Sequence, residues 1–125
     1  MHRGLNRVMV IGEVARRPEM RYMPSGRPVT SFSVGATRSW ESADGEHREE
    51  TEWFNVVVWG ELAERCKEVL DVDDRVYVEG RLQTRSWKGE DGSSRFRAEL
   101  MASDMILLNH AREADAVLAE AAGSQ

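Results

Sequence analysis

A single cysteine, Cys66, denies this chain any internal disulfide, which fits a reducing, cytoplasmic setting. Nowhere does an apolar run approach the roughly 18 residues needed to cross a membrane. The basic start MHRGLNRVMVIG is interrupted by Gly12 and Glu13 and lacks a small-residue cleavage pattern, so no signal peptide is expected. Three histidines, His2, His47 and His110, lie far apart, and the densest acids fall on a hairpin tip at 44–52. Metal-ligand spacing, a nucleophile motif and a phosphate-binding loop are all missing. No cofactor or metal is expected, and an enzyme, a nuclease for example, is disfavoured.

Positive charge is also scarce, with 17 Lys and Arg against 22 Asp and Glu, a net charge of −5. Spread evenly, that balance would argue against an anionic partner. The distribution is polarised instead. Residues 1–40 hold seven arginines and two acids, net +5, whereas residues 41–125 carry net −10. A fold that gathers the arginines can still present a basic surface. With 125 residues, 41% hydrophobic and 31% charged, the composition suits one globular domain with one core.

Five segments read as strands. The first covers about 5–14, with Val8, Val10 and Val14 alternating against Met9, Ile11 and Glu13. ARRPEMRYMPSGRP then reads as a loop with a turn at Pro24-Ser25-Gly26. The second strand, 29–40, places Phe32, Val34 and Ala36 on one face and Ser31, Ser33 and Gly35 on the other. SADGEH is a hairpin tip, and 48–59 returns as the third strand. At 61–70 the period changes: Leu62, Cys66, Val69 and Leu70 fall on one helical face, which makes Cys66 a small buried hydrophobe. The fourth strand spans 75–87, KGEDGSS is a second hairpin tip, and the fifth strand spans 95–107. The order predicts an all-β, five-stranded OB-fold, a Greek-key barrel with one helix between strands three and four and two long hairpins. Residues 1–108 form that domain; the Ala-rich 109–125 is a short C-terminal extension, helical or disordered.

Strand parity sorts the large side chains. Phe54, Val56 and Val58 form an apolar, inward set, so Trp53, Asn55, Val57 and Trp59 face outward. Asn55 would not enter a small core without a partner. In the fourth strand Val76, Val78, Gly80 and Leu82 point in, and Tyr77, Glu79, Arg81, Gln83, Arg85 and Trp87 point out. In the fifth, Phe96, Ala98 and Leu100 are expected inward against Arg95, Arg97 and Glu99. Trp40 shares the parity of Phe32 but stands beyond the core. All four tryptophans are therefore expected at least partly exposed. Indoles stack on unpaired bases with little sequence preference, and arginines pair with phosphates; duplex DNA would hide those base faces. Each tryptophan taken singly is equally compatible with packing at a barrel rim or with a protein interface.

Taken together, LNRVMVIG, RPEMRYMPSGRPVTSFSV, TEWFNVVVWGELAE, VYVEGRLQTRSW and DGSSRFRAEL resemble the bacterial single-stranded DNA-binding protein family, in order and with similar spacing from about residue 4 to 108. The resemblance implies an OB-fold that assembles as a homotetramer and wraps single-stranded DNA without sequence preference in replication, recombination and repair, in the cytoplasm at the nucleoid. It places stacking aromatics at Trp40, Trp53, Trp59 and Trp87. Its basic path matches Arg3, Arg7, Arg21, Arg48, Arg85 and Arg95; Arg38 and Lys88 join on local grounds, as neighbours of two tryptophans. Tyr77 and Gln83 match subunit-contact positions, and residues 5–10 match a strand that pairs across a dimer. Two departures stand out. Ala15 and Arg17 replace a common Gly and Asp, and the ending HAREADAVLAEAAGSQ has no acidic tip of the kind that recruits repair enzymes. A competing expectation is an adaptor module similar to the primosomal replication-restart protein; the four tryptophans favour a DNA binder.

Overall fold

The computed structural model describes residues 3–108. Five strands, β1 (Val8–Tyr22), β2 (Pro28–Glu41), β3 (His47–Trp59), β4 (Arg75–Lys88) and β5 (Ser94–Leu107), and one helix, α1 (Glu61–Val69), follow one another with α1 between β3 and β4. The strands close into a barrel in the order β1-β2-β3-β5-β4, with β4 returning to β1. That is the expected OB-fold. All pairings are antiparallel except β3 with β5, which run parallel and share only two paired positions, Val56 with Leu100 and Val57 with Met101. The extension at 109–125 lies outside the described residues.

Alternation places one apolar face of every strand inside, valine-rich in all but β5. Val10, Val14, Phe32, Val34, Val56, Val58, Val76, Val78, Leu100 and Met105 make a single buried cluster. Helix α1 closes the barrel with Ala63 and Cys66 on its inner face and buried Leu70 just past its end, while Val69 is exposed. The inner face therefore differs from the expected one by Ala63 in place of Val69. Small Ala63 lets the helix backbone approach β2, where buried Thr30 donates its hydroxyl to the Ala63 carbonyl at 2.7 Å.

Burial pushes the Cys66 thiol up to about 11, with nearby Arg65 opposing the shift weakly. A thiol reagent at pH 8 is expected to leave the native protein unmodified and to react stoichiometrically once guanidinium unfolds it. The unfolded thiol ionises near 9 and the folded one near 11. Stability is therefore unaffected below about pH 9 and falls as pH rises through that window, because only the unfolded chain releases the proton there. Denaturant midpoints at pH 8 and pH 10.5, compared with those of Cys66→Ala, measure this contribution.

The first strand is longer than the sequence predicts. It runs through the expected loop to Tyr22, and register shifts between Val14 and Arg16 and between Arg16 and Glu19 bend it. Bulges of this kind admit a proline into a strand. Pro18 is buried there, and its carbonyl accepts a hydrogen bond from Lys67 Nζ at 3.0 Å. The expected turn follows, with Gly26 at φ 88° and its amide donating to the Met23 carbonyl.

Two hairpin arms leave the barrel. Pairing persists to Glu41 opposite His47 in one, and to Lys88 opposite Ser94 in the other. Leu82, Phe96 and Ala98, expected inward, are instead exposed, Phe96 by 69%. Parity assigns them a face correctly, but β4 and β5 outrun the core, so that face meets water.

Candidate nucleic-acid interface

A groove of about 460 Å³ crosses the outer face of the barrel. β1 contributes Arg16 and Arg21, β3 contributes Asn55 and Trp59, β4 contributes Gln83 and Arg85, and β5 contributes Arg97 and Glu99. Four arginines against one glutamate make it strongly positive, although the whole chain carries −5. Low-dielectric walls lined by one sign of charge concentrate the field in such a groove. Asn55 finds the partner its outward position demanded: Arg97 Nη2 donates to its Oδ1 at 2.5 Å.

Tryptophans border this face. Trp53 is 63% exposed, and Gly35 is its paired residue on β2. A Cβ on Gly35 would come within 2.7 Å of the Trp53 ring, so only glycine lets the indole lie down on the sheet. Trp59 is half-buried, with the Arg27 guanidinium 4.9 Å from its ring centroid. Arg85 lies 5.6 Å over Trp87, and Arg38 lies 4.6 Å over Trp40. These are cation–π distances. Each contact helps to orient an indole.

The expected residues do not all converge. Arg21, Trp59 and Arg85 line the groove, and Trp53 and Trp87 share the outward face of their strands. Arg95 is the cross-strand partner of Trp87 and forms an ion pair of 3.8 Å with Asp91 at the hairpin tip. Register puts Trp40, Arg38 and Arg48 on the opposite side of the β2–β3 ribbon from Trp53. There Arg38 pairs with Glu50 at 2.9 Å, and Arg48 with Glu46 at 3.3 Å and Asp44 at 3.7 Å. The Ser42 hydroxyl holds the Asp44 carboxyl below the usual range, and Ser93 does the same for Asp91, so both tips keep their negative charge near neutral pH. Exposed ion pairs are worth little, so a phosphate can displace these carboxylates. Lys88 lies across the β4–β5 ribbon from Trp87, Arg7 pairs with Glu79 at 2.8 Å, and Arg3 is exposed ahead of β1.

Arg16, Arg27, Arg97 and Asn55 belong to this face although sequence reasoning did not select them as site residues. Arg97 and Asn55 carried a usable signal, since both were assigned outward and Asn55 lacked a partner. Arg16 carried none, because its position depends on the bulges of β1.

A five-stranded OB-fold barrel with a basic, tryptophan-edged groove belongs to the class of small barrels that hold oligonucleotides or oligosaccharides across one face. Residues 5–108 match the single-strand binding protein family, and the chain belongs to that family. It is 40% identical over 109 residues to single-stranded DNA-binding protein 1 of Chlorobaculum tepidum, covering 86% of this chain and 67% of that one. It is 39% identical over 109 residues to the single-stranded DNA-binding protein of Neisseria meningitidis serogroup A, covering 87% of this chain and 63% of that one. Among solved structures, a Plasmodium falciparum SSB in complex with ssDNA superposes with a TM-score of 0.79 at 29% identity, covering 86% of this chain and 98% of that one.

Proposed function

We propose that the protein binds single-stranded DNA without sequence preference, protecting and organising it during replication, recombination and repair in the cytoplasm. The observation that carries this reading is the groove itself: four arginines and one glutamate, edged by exposed indoles, on a chain of negative net charge. Bases stack on Trp53, Trp59 and Trp87, while Arg21, Arg85, Arg95 and Arg97 take the backbone. Trp40, Arg38 and Arg48 serve a strand that continues around the β2–β3 arm, with Arg3, Arg7 and Lys88 as outlying phosphate contacts. Membership of the single-strand binding protein family and the likeness to single-stranded DNA-binding proteins support the ligand. The function is binding, with no covalent step. Residues 1–108 form the binding domain.

The same reading includes a homotetramer. Ile11, Tyr77 and Ile106 are consecutive cross-strand partners on the outer face of β1, β4 and β5. Ile11 and Ile106 are about half exposed and Met9 more so. Desolvation and the Glu79 carboxylate raise the Tyr77 hydroxyl above its ordinary pKa, so it stays a neutral hydrogen-bond donor in this apolar row. A contiguous apolar strip on a sheet face is a common basis for self-association.

Titration with oligo-dT at low salt, on protein whose scattering mass corresponds to four chains, is expected to quench most of the tryptophan emission. Absence of quenching overturns the DNA-binding reading, and a monomeric mass overturns the tetramer.

A further inference from the structure

Arg85 and Arg97 occupy directly opposed positions on β4 and β5, on the same outward face. Like charges so placed repel. The groove offers one carboxylate to offset them, Glu99, whose side chain is only 12% exposed and whose oxygen lies 3.9 Å from Arg85 Nη1. Arg97 receives less. Its Nη2 donates to neutral Asn55, and its Nε is buried without a hydrogen-bond partner. A half-buried guanidinium with one N–H shut away from both water and a partner is poorly satisfied. An anion arriving between the two guanidiniums replaces repulsion with attraction.

We propose that Arg97 and Arg85 form a two-arginine clamp for one phosphodiester at the centre of the groove, with Asn55 as the positioning residue that holds the Arg97 fork toward its partner. The clamp rests on the DNA-binding reading and adds to it a specific phosphate site. Arginine suits the task because its planar fork engages two phosphate oxygens, whereas lysine offers a point charge. Asn55 presents no charge of its own, so it fixes the guanidinium without neutralising it.

The test is oligo-dT affinity measured across a range of salt concentrations for the wild type, Arg97→Gln, Arg97→Lys, Arg85→Ala and the Arg85→Ala/Arg97→Gln double variant. Arg97→Gln is expected to weaken binding about tenfold or more and to reduce the slope of log affinity against log salt by about 0.7, the value for one single-strand phosphate. Arg97→Lys is expected to keep the wild-type slope while binding several-fold more weakly. The double variant should lose less than the product of the single losses, because both residues act on the same phosphate. Wild-type binding combined with an unchanged slope in Arg97→Gln overturns the clamp alone. Equal affinity of Arg97→Lys and wild type also overturns it, and this variant keeps the charge should Arg97→Gln fold poorly. Failure of the wild type to bind oligo-dT overturns the reading of the groove and the clamp with it.

Discussion

Trp53→Ala is expected to weaken oligo-dT binding by about 1–3 kcal/mol, roughly 5- to 150-fold in Kd, the range for loss of one base-stacking platform. The expectation rests on geometry. Trp53 is the most exposed of the four indoles at 63%, and among the described residues it is the one tryptophan without an arginine over its ring. Its ring is held from below by the close approach to Gly35 rather than by a cation. A base therefore gains a flat apolar platform without displacing a guanidinium. Exposed Trp53 contributes little to the core, so thermal stability should be nearly unchanged. The salt slope should also stay at the wild-type value, because no phosphate contact is removed. Gly35→Ala provides a separate check. Its added methyl lifts the indole, so affinity should fall although the tryptophan remains. Wild-type affinity in both variants would remove Trp53 from the binding path.

Phe32→Ala is expected to cost about 3–5 kcal/mol of stability, through lost burial and the cavity left behind. Phe32 is completely buried, the largest such side chain, and its cross-strand partner on β3 is Val56, at the closure with β5. Domains of this size are stable by about 5–15 kcal/mol, so the loss takes a large share of the total. The urea midpoint, at fixed protein concentration and with an unchanged m-value, measures it. Phe96→Ala is the control. Phe96 belongs to an inward-parity set in the same way, yet it is 69% exposed, and its removal should change the stability by about 0.5 kcal/mol or less. A comparable loss from both phenylalanines would place the end of the core further along β5 than the structure does.

That contrast marks how far strand patterning could be read. Alternation is a local property of the pleat, so it correctly turned Trp53, Asn55 and Trp59 out and Val56 and Val58 in. The turns were legible for the same reason: the Pro-Ser-Gly and Asp-Gly pairs supply their own backbone preference, and Gly26, Gly45 and Gly92 all take positive φ. The length of the inward face was not legible. Whether Phe96 meets core or water depends on where four other strands stop. The extent of β1 was hidden as well, because Arg16, Arg17 and Pro18 look like a loop until bulges and Lys67 accommodate them.

The amino-acid order by itself determined the strand count, the faces, the hairpin positions and the outward tryptophans, because each follows from interactions within a few residues. Tertiary structure alone decided which arginines share a groove. Arg97 meets Asn55 across 42 positions, beside the β3–β5 contact that closes the barrel, and the bulged β1 brings Arg16 and Arg21 to its wall. Such meetings depend on register and closure. Those are properties of the whole sheet, and no local period in the chain encodes them.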